Sequence, residues 1–357
     1  MSEVGHDAVG HGMVVHGGVQ REELEGLGID PIDVYDLSAN LNPFGPHSHV
    51  LLAARDADIR RYPAADAGPL RDGIAHASGL ASEQVLVTSG ATAAIFLAAR
   101  ALLQPGDDCA LWPPAFGEYA AAIEAVGAHA VEYRSEAPGF AVDLDVAPAI
   151  AGYLCNPNNP SGAYLERSEV ERVIERLGGT LILDVAYDAF VDDAWDADDL
   201  VRAGLQVLVI HSLTKLHAAP GIRVGYVVGA PELVARLARL QPSWPIDAAG
   251  MAAGLAMLSV ETQQRRARTE VTRVRALMVE RLSAGGAEVS PGRANFILVR
   301  VGDAAAFRTR LLMRGFAVRD CASFGLPEWV RVAVPVEAAA DRLIPAFLAC
   351  LEAGAGA

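Results

Sequence analysis

The sequence has almost no lysine. It carries 29 basic residues, and every one except Lys215 is arginine. Cysteine is scarce as well. Cys109, Cys155, Cys321 and Cys350 are far apart and form no CxxC pair, which excludes a disulfide framework and a cysteine-based zinc site. Cys109 and Cys155 lie in apolar runs and read as reduced core residues, which suits a cytoplasmic chain. No apolar run reaches roughly 18 residues, so no membrane span is expected. Met1 to Gly12 has neither a basic start nor an apolar core and does not read as a secretory signal. Positive charge is outnumbered, with a net charge of −15, which disfavours a nucleic-acid partner because a phosphate backbone needs a basic face. No GxxxxGK[ST] phosphate loop is present, and no GxGxxG follows the first strong strand.

What is there describes a globular α/β protein. At 357 residues, 52% hydrophobic and 20% charged, the chain can bury a sizeable core and divide into two domains. The lack of lysine also gives position 215 a meaning. Surface lysines exchange readily for arginine, so the one that remains marks a place where arginine does not serve. A guanidinium stays protonated and forms no imine with a carbonyl, whereas an amine does once its pKa falls towards neutrality. Ser212 and Thr214 precede Lys215, and Arg223 follows Pro220-Gly221. Hydroxyls and an arginine around a lysine suit a ligand with both an aldehyde and a phosphate, and pyridoxal 5'-phosphate is such a ligand.

The rest of the chain supplies further candidates. His6, His11 and His16 recur every five residues, a spacing that fits neither one helix face nor a zinc motif. Arg21 to Leu27 reads as a helix closed by Gly28, and Asn40 and Asn42 lie in an irregular turn before Pro43. Strands are expected at Val85–Thr88, Asp108–Trp112, Ala130–Tyr133, Gly152–Cys155, Thr180–Asp184, Leu205–Ile210 and Val224–Gly229, with helices between several of them. The apolar run ending in Asp184 suits a parallel sheet covered on both faces, where ligands gather at the carboxyl ends of strands. After the first of these strands, Ser89-Gly90-Ala91-Thr92 opens an Ala-rich helix, and such a helix start binds anions. Phe116 follows a proline-fixed turn and could face a ring or plug the core. Asn156-Pro157-Asn158-Asn159-Pro160 forms a rigid turn that can aim amides or simply turn the chain. A buried Asp184 calls for a cationic or protonated partner. The arginine run from Arg265 to Arg275 reads as a solvated helix face. Beyond Gly286 the pattern becomes an α+β module holding Arg319 and Arg331, with a disordered tail from Gly354.

The order of these pieces is more specific than any one of them. Glycine turn, aromatic, Asn-Pro turn, Asp then Tyr, Ser-x-x-Lys, Arg and two late arginines together resemble the aminotransferase class I/II superfamily of PLP enzymes, fold type I. The resemblance covers nearly the whole chain. Within that superfamily the chain is similar to the threonine-phosphate decarboxylases of cobalamin biosynthesis through four stretches: His16-Gly17-Gly18; Ser38 to Pro43; Ser212 to Lys215 with Pro220 to Arg223; and Arg319-Asp320-Cys321 with Arg331 to Val334. The histidinol-phosphate aminotransferases are siblings with most of the same cofactor motifs.

The resemblance implies a large domain, residues 45–250, built on a mostly parallel seven-stranded sheet between helices. It also implies a smaller α+β domain, residues 251–357, and an N-terminal segment, residues 1–44, that contributes to the substrate site. It implies Lys215 as the Schiff-base lysine, Asp184 on the pyridine nitrogen, Tyr187 and Asn159 on the ring hydroxyl, and Phe116 stacked on the ring. Gly90, Ala91, Thr92, Ser212 and Arg223 would cradle the cofactor phosphate, with Tyr62 reaching in from the partner subunit of a homodimer. Arg331 would clamp the substrate carboxylate, and Arg319, Asn40 and His16 the phosphate of a small phosphorylated amino acid. The implied reaction is PLP-dependent decarboxylation of L-threonine O-3-phosphate, and the alternative is transamination of the histidinol-phosphate or aromatic type. A regulator or inactive binding module of the same fold is a third class, disfavoured by the acidic charge and the lack of room for a DNA-binding domain. The chain departs from the pattern at Val185, where Glu is usual, at Val19, at His211, where Arg is usual, and over Ser89 to Ala94, where Asn-Gly-x-x-Glu is usual.

Overall fold

The protein is described from a computed structural model, which covers residues 17–355. The expectations for His6, His11 and His16 lie outside the described residues. The first strand, β1 (Tyr35–Asp36), pairs in parallel with β11 (Phe316–Ala317) and ties the N-terminal segment to the C-terminal module. Seven strands then form the main sheet: β2 (Val85–Thr88), β3 (Asp108–Leu111), β4 (His129–Glu132), β5 (Ala151–Cys155), β6 (Thr180–Asp184), β7 (Val207–Ser212) and β8 (Gly225–Gly229). Their order is β2-β8-β7-β6-β5-β3-β4. All run parallel except β8, which is antiparallel to both of its neighbours.

The central strands are apolar throughout because both faces are covered. Leu181 and Leu183 of β6 enter one core with Val207 and Val209 of β7, while Ile182, Leu208 and Ile210 enter the core on the opposite face. That alternation is the two-residue period of a strand, displayed on two buried surfaces. The parallel strands therefore deliver their carboxyl ends, and the loops that leave them, to one edge of the sheet.

The C-terminal module is a four-stranded antiparallel sheet, ordered β12 (Arg319–Asp320), β13 (Trp329–Ala333), β10 (Phe296–Arg300), β9 (Glu288–Ser290). Helix Glu261–Ala284 buries Val271, Val274, Met278 and Leu282, one stripe at helical spacing, in the core beneath this sheet. Helix Ala248–Met257, which spans the expected domain boundary at residue 250, instead packs on helix Ser48–Arg55 and on helix Gly68–Ser78.

Two expectations change. The arginine run is not uniformly solvated. Arg265, Arg266 and Arg273 are exposed, but Arg275 donates to the carbonyls of Arg293 and Ala294 at 2.8 and 2.7 Å, and Arg268 donates to that of Ala189 at 2.9 Å. Those two arginines are half-buried and spend their donors on backbone carbonyls rather than on solvent. Helix Glu337–Ala355 also includes Gly354 and Ala355, where a disordered tail was expected, and Gly356 and Ala357 lie outside the described residues. Among the described residues, no helix is long and apolar enough to cross a membrane, and no His/Cys/Asp/Glu cluster could hold a metal.

Candidate active site

A cavity of about 930 Å³ lies at the carboxyl edge of the main sheet, closed on one side by the C-terminal module. Helix Gly90–Leu102 begins there, directly after β2. Ala91 and Thr92 line the cavity in its first turn, so backbone N–H groups without helical partners face it. Gly90 has φ +75°, and a Cβ there would lie 2.6 Å from the Arg223 guanidinium. The turn thus needs a left-handed residue with no side chain, because Arg223 occupies the space a side chain would take. Ser212, at the end of β7, bonds the Thr214 hydroxyl at 2.9 Å, and both line the cavity with Arg223. N–H groups, two hydroxyls and a guanidinium converge on one point, which is the donor set of a phosphate cradle.

Lys215 projects from the short helix Leu213–Leu216 that follows β7, and it lines the same cavity. Among the described residues its amine has no hydrogen-bond or ion-pair partner. Its carbonyl accepts from the Asn42 N–H at 3.0 Å, and the Asn42 amide donates to the Leu216 carbonyl at 2.8 Å. The Asn-rich turn thus straps the lysine segment in place.

Asp184 ends β6 and is 4% exposed. One carboxylate oxygen accepts from the Ala186 N–H at 2.9 Å and the other from the Tyr119 hydroxyl at 2.9 Å. Burial holds the Asp184 pKa above the usual carboxylate range, against the pull of those two bonds and of the charges on His211 and Lys215. A carboxylate in that state gains from any further cation placed against it. Tyr119 was not among the expected site residues. It lies on helix Gly117–Ala125, stacks on Tyr153 at 5.4 Å and meets Phe116 edge-on at 5.7 Å. The available signal was the spacing Phe116-x-x-Tyr119 before an Ala-rich stretch, which places two aromatics on one helix face. Cys155, beside Asp184 on β5, also lines the cavity, but burial pushes its thiol pKa up and its Sγ–H points to the Pro157 carbonyl at 3.2 Å.

The C-terminal module supplies the other wall. Arg319 on β12 and Arg331 on β13 are direct register partners, 7% and 5% exposed, and both line the cavity. Arg331 donates to the Asn159 side-chain oxygen and, at 2.8 Å, to the Ser38 carbonyl. Arg319 donates to the Ser323 hydroxyl at 2.7 Å. Their guanidinium carbons lie 5.6 and 5.9 Å from the centre of the Phe324 ring. Burial, and then repulsion from Arg331, pulls the Arg319 pKa below its usual value. Asn40 donates to the Tyr187 hydroxyl at 3.4 Å, while its own side-chain oxygen and the Arg331 Nε are buried without partners among the described residues. Such orphaned polar atoms are costly unless a ligand meets them.

The structure therefore gathers Ala91, Thr92, Phe116, Asn159, Asp184, Tyr187, Ser212, Lys215 and Arg223 around one cavity, together with Asn40, Arg319 and Arg331. Gly90 lies just beneath its wall. Tyr62 does not reach it: the side chain is 82% exposed and packs on Trp244 at 4.8 Å. His16 lies outside the described residues.

Residues 32–347 match the family model of aminotransferase class I and II. The chain belongs to that family. It is 32% identical over 343 residues to histidinol-phosphate aminotransferase 1 of Thiobacillus denitrificans, a match covering 92% of this chain and 88% of that one. Its fold superposes on the L-threonine-O-3-phosphate decarboxylase of Porphyromonas gingivalis with a TM-score of 0.81 at 26% identity, covering 89% of this chain and 100% of that one. It superposes on histidinol-phosphate aminotransferase from Sinorhizobium meliloti, solved with pyridoxal-5'-phosphate, with a TM-score of 0.83 at 21% identity, covering 94% and 95%. The protein is accordingly a PLP-dependent enzyme of the class I and II family. Its own residues fit the cofactor: an unpartnered amine at Lys215, a phosphate cradle at Gly90 to Thr92 with Arg223, and an acceptor at Asp184 whose burial favours a cation against it.

Proposed function

We propose that this enzyme decarboxylates L-threonine O-3-phosphate, giving (R)-1-amino-2-propanol O-2-phosphate and carbon dioxide, a step of cobalamin biosynthesis. The observation that carries this reading is the Arg319–Arg331 pair, two buried guanidiniums opposite each other on adjacent strands and flanking Phe324. Two cations so close suit a short substrate with a carboxylate and a phosphate a few bonds apart.

On this reading pyridoxal phosphate supplies an aldehyde for the substrate amine and a ring that draws electrons from the bond to be broken. Ala91, Thr92, Ser212 and Arg223 hold its phosphate, Asp184 pairs with its ring nitrogen, Asn159 and Tyr187 face its hydroxyl, and Phe116 covers its face. Arg331 grips the substrate carboxylate with two parallel hydrogen bonds. Arg319 and Asn40 take the substrate phosphate, a role the resemblance also gives to His16, which lies outside the described residues. Holding both ends at once, Arg331 and Arg319 would fix the orientation of the substrate carboxylate for release. Lys215 Nζ then delivers a proton to the α-carbon that carbon dioxide has left. Residues 1–44 shape the substrate end, residues 45–250 hold the cofactor, and residues 251–357 bring the two arginines. Two copies share the site, a reading supported by Tyr62, whose ring is exposed and does not line its own cavity.

A second reading, transamination of the histidinol-phosphate type, is favoured by the 32% identity to an aminotransferase. Incubation with threonine phosphate separates the two. Carbon dioxide release without any keto acid is expected. Glutamate formation that depends on a keto acid, with no carbon dioxide, would sink the decarboxylase reading.

A further inference from the structure

Behind the sheet edge that carries Asp184 lies a second buried charge cluster that does not touch the cavity. His211 is the next residue after Ile210, the register partner of Asp184. Ile210 faces the core that contains Tyr119, so strand alternation turns His211 to the opposite face of the sheet. There its ring stacks flat on Tyr226, its register partner on β8, at 4.5 Å and 10°. Its Nε2 bonds an Asp198 carboxylate oxygen at 2.9 Å, with the two side chains 14% and 5% exposed. Three carboxylates feel its charge from separate places: Asp198 on helix Asp198–Arg202, Asp188 on the turn Asp188–Phe190, and Asp184 on β6. Asp196 acts on it as well.

We infer that His211, held by Asp198, is a positioning residue that keeps Asp184 ionised from the far face of the sheet. The inference rests on the reading of Asp184 as the cofactor's partner for its importance, but the coupling itself belongs to this chain alone. The need for it follows from geometry. Asp184 is buried, and among the described residues the charges that favour its ionised form are those of His211 and Lys215. Lys215 is committed to chemistry in the cavity, and its charge changes as it reacts. His211 does not line the cavity and is remote from that chemistry. Burial opposes the imidazolium, but Asp198, Asp188 and Asp196 outweigh that cost, so the His211 pKa is raised. Arg202, paired with Asp196 at 2.8 Å and Asp199 at 2.6 Å, and Arg268, on the Ala189 carbonyl, offset part of that negative charge. Tyr226 stays neutral, since burial and the same carboxylates raise its pKa.

The test reads Asp184 directly, by carbon-13 NMR of aspartate-labelled full-length protein, with its resonance identified from Asp184→Asn. In His211→Gln the Asp184 midpoint moves up by about one pH unit, the order expected for losing a unit charge on the neighbouring strand at an effective dielectric of about 20. In His211→Arg it stays at or below the native midpoint. Asp198→Asn leaves the imidazole in place and weakens its hold on the proton, so the Asp184 midpoint rises once His211 deprotonates. If His211→Gln does not fold, the arginine and Asp198 variants carry the same comparison. Tryptophan-fluorescence titration with pyridoxal phosphate gives a second readout, in which affinity falls roughly tenfold in His211→Gln and is restored in His211→Arg. An Asp184 midpoint unmoved by both His211→Gln and Asp198→Asn overturns the inference. A native protein that binds no pyridoxal phosphate but still shows the midpoint shift overturns the proposed function and leaves the coupling standing.

Discussion

Replacing Tyr119 with phenylalanine removes one atom from the site, the hydroxyl that donates to Asp184 at 2.9 Å. Both partners are buried, at 1% and 4% exposure, so water does not readily replace the lost donor. A hydrogen bond to a charged group is worth about 1.5–3 kcal/mol, and the loss falls on the ionised carboxylate. At about 1.4 kcal/mol per tenfold, pyridoxal phosphate affinity at neutral pH should weaken by roughly ten- to a hundredfold. The stacking of the ring on Tyr153 and its edge contact with Phe116 need no hydroxyl, so the cofactor-free fold should be little changed. The sign with pH is defined too. Burial raises the folded-state pKa of Asp184 above its unfolded value. The folded chain therefore binds a proton where the unfolded chain has lost it, and the cost of the buried charge grows as pH rises through that window. Tyr119→Phe raises the folded pKa further and widens the window upward. Fluorescence titration with pyridoxal phosphate between pH 5 and 8, alongside thermal melts without cofactor, measures both effects. Unchanged affinity with an unchanged pH profile would refute the assignment of Tyr119 as a support for Asp184.

Other perturbations follow from the same geometry. The purified protein should show a visible absorbance band that borohydride removes, and Lys215→Arg should abolish it, because a guanidinium forms no imine; a band that survives in that variant removes the lysine from its role. Arg331→Lys loses the planar fork held between Asn159 and the Ser38 carbonyl, so KM for threonine phosphate should rise at least tenfold with the cofactor band intact; an unchanged KM places the carboxylate elsewhere. Gly90→Ala puts a Cβ 2.6 Å from the Arg223 guanidinium at φ +75°, where a left-handed alanine costs about 1–2 kcal/mol. Pyridoxal phosphate affinity should fall roughly tenfold or more in that variant, and native affinity would mean that Arg223 does not hold the phosphate.

Much of the fold was legible in the sequence because the signals are local. Thr180–Asp184 is an unbroken apolar strand, which only a sheet covered on both faces accepts, and the structure has that strand between the same residues. Gly28 ends its helix in the left-handed conformation that a helix terminus favours. Helix Gly117–Ala125 was less legible. Its alanines have little amphipathic pattern, and the prolines before it read as turn alone.

Part of the site was local too. Chemistry singles out Lys215, since an amine and a guanidinium differ in what they can bond, and that distinction needs no coordinates. Only the tertiary structure decided which groups act on one another. Tyr119 and Asp184 are 65 positions apart, and Arg331 and Asn159 are 172 apart. Arg319 faces Arg331 because of strand register, and His211 lies behind Asp184 because β7 pairs with β6 and its side chains alternate across the sheet. Hydrophobic periodicity reports which face of a segment is buried, not which segment it meets. Strand order and register supply that second fact, and they turn a lone lysine, a buried aspartate and two arginines into a single site.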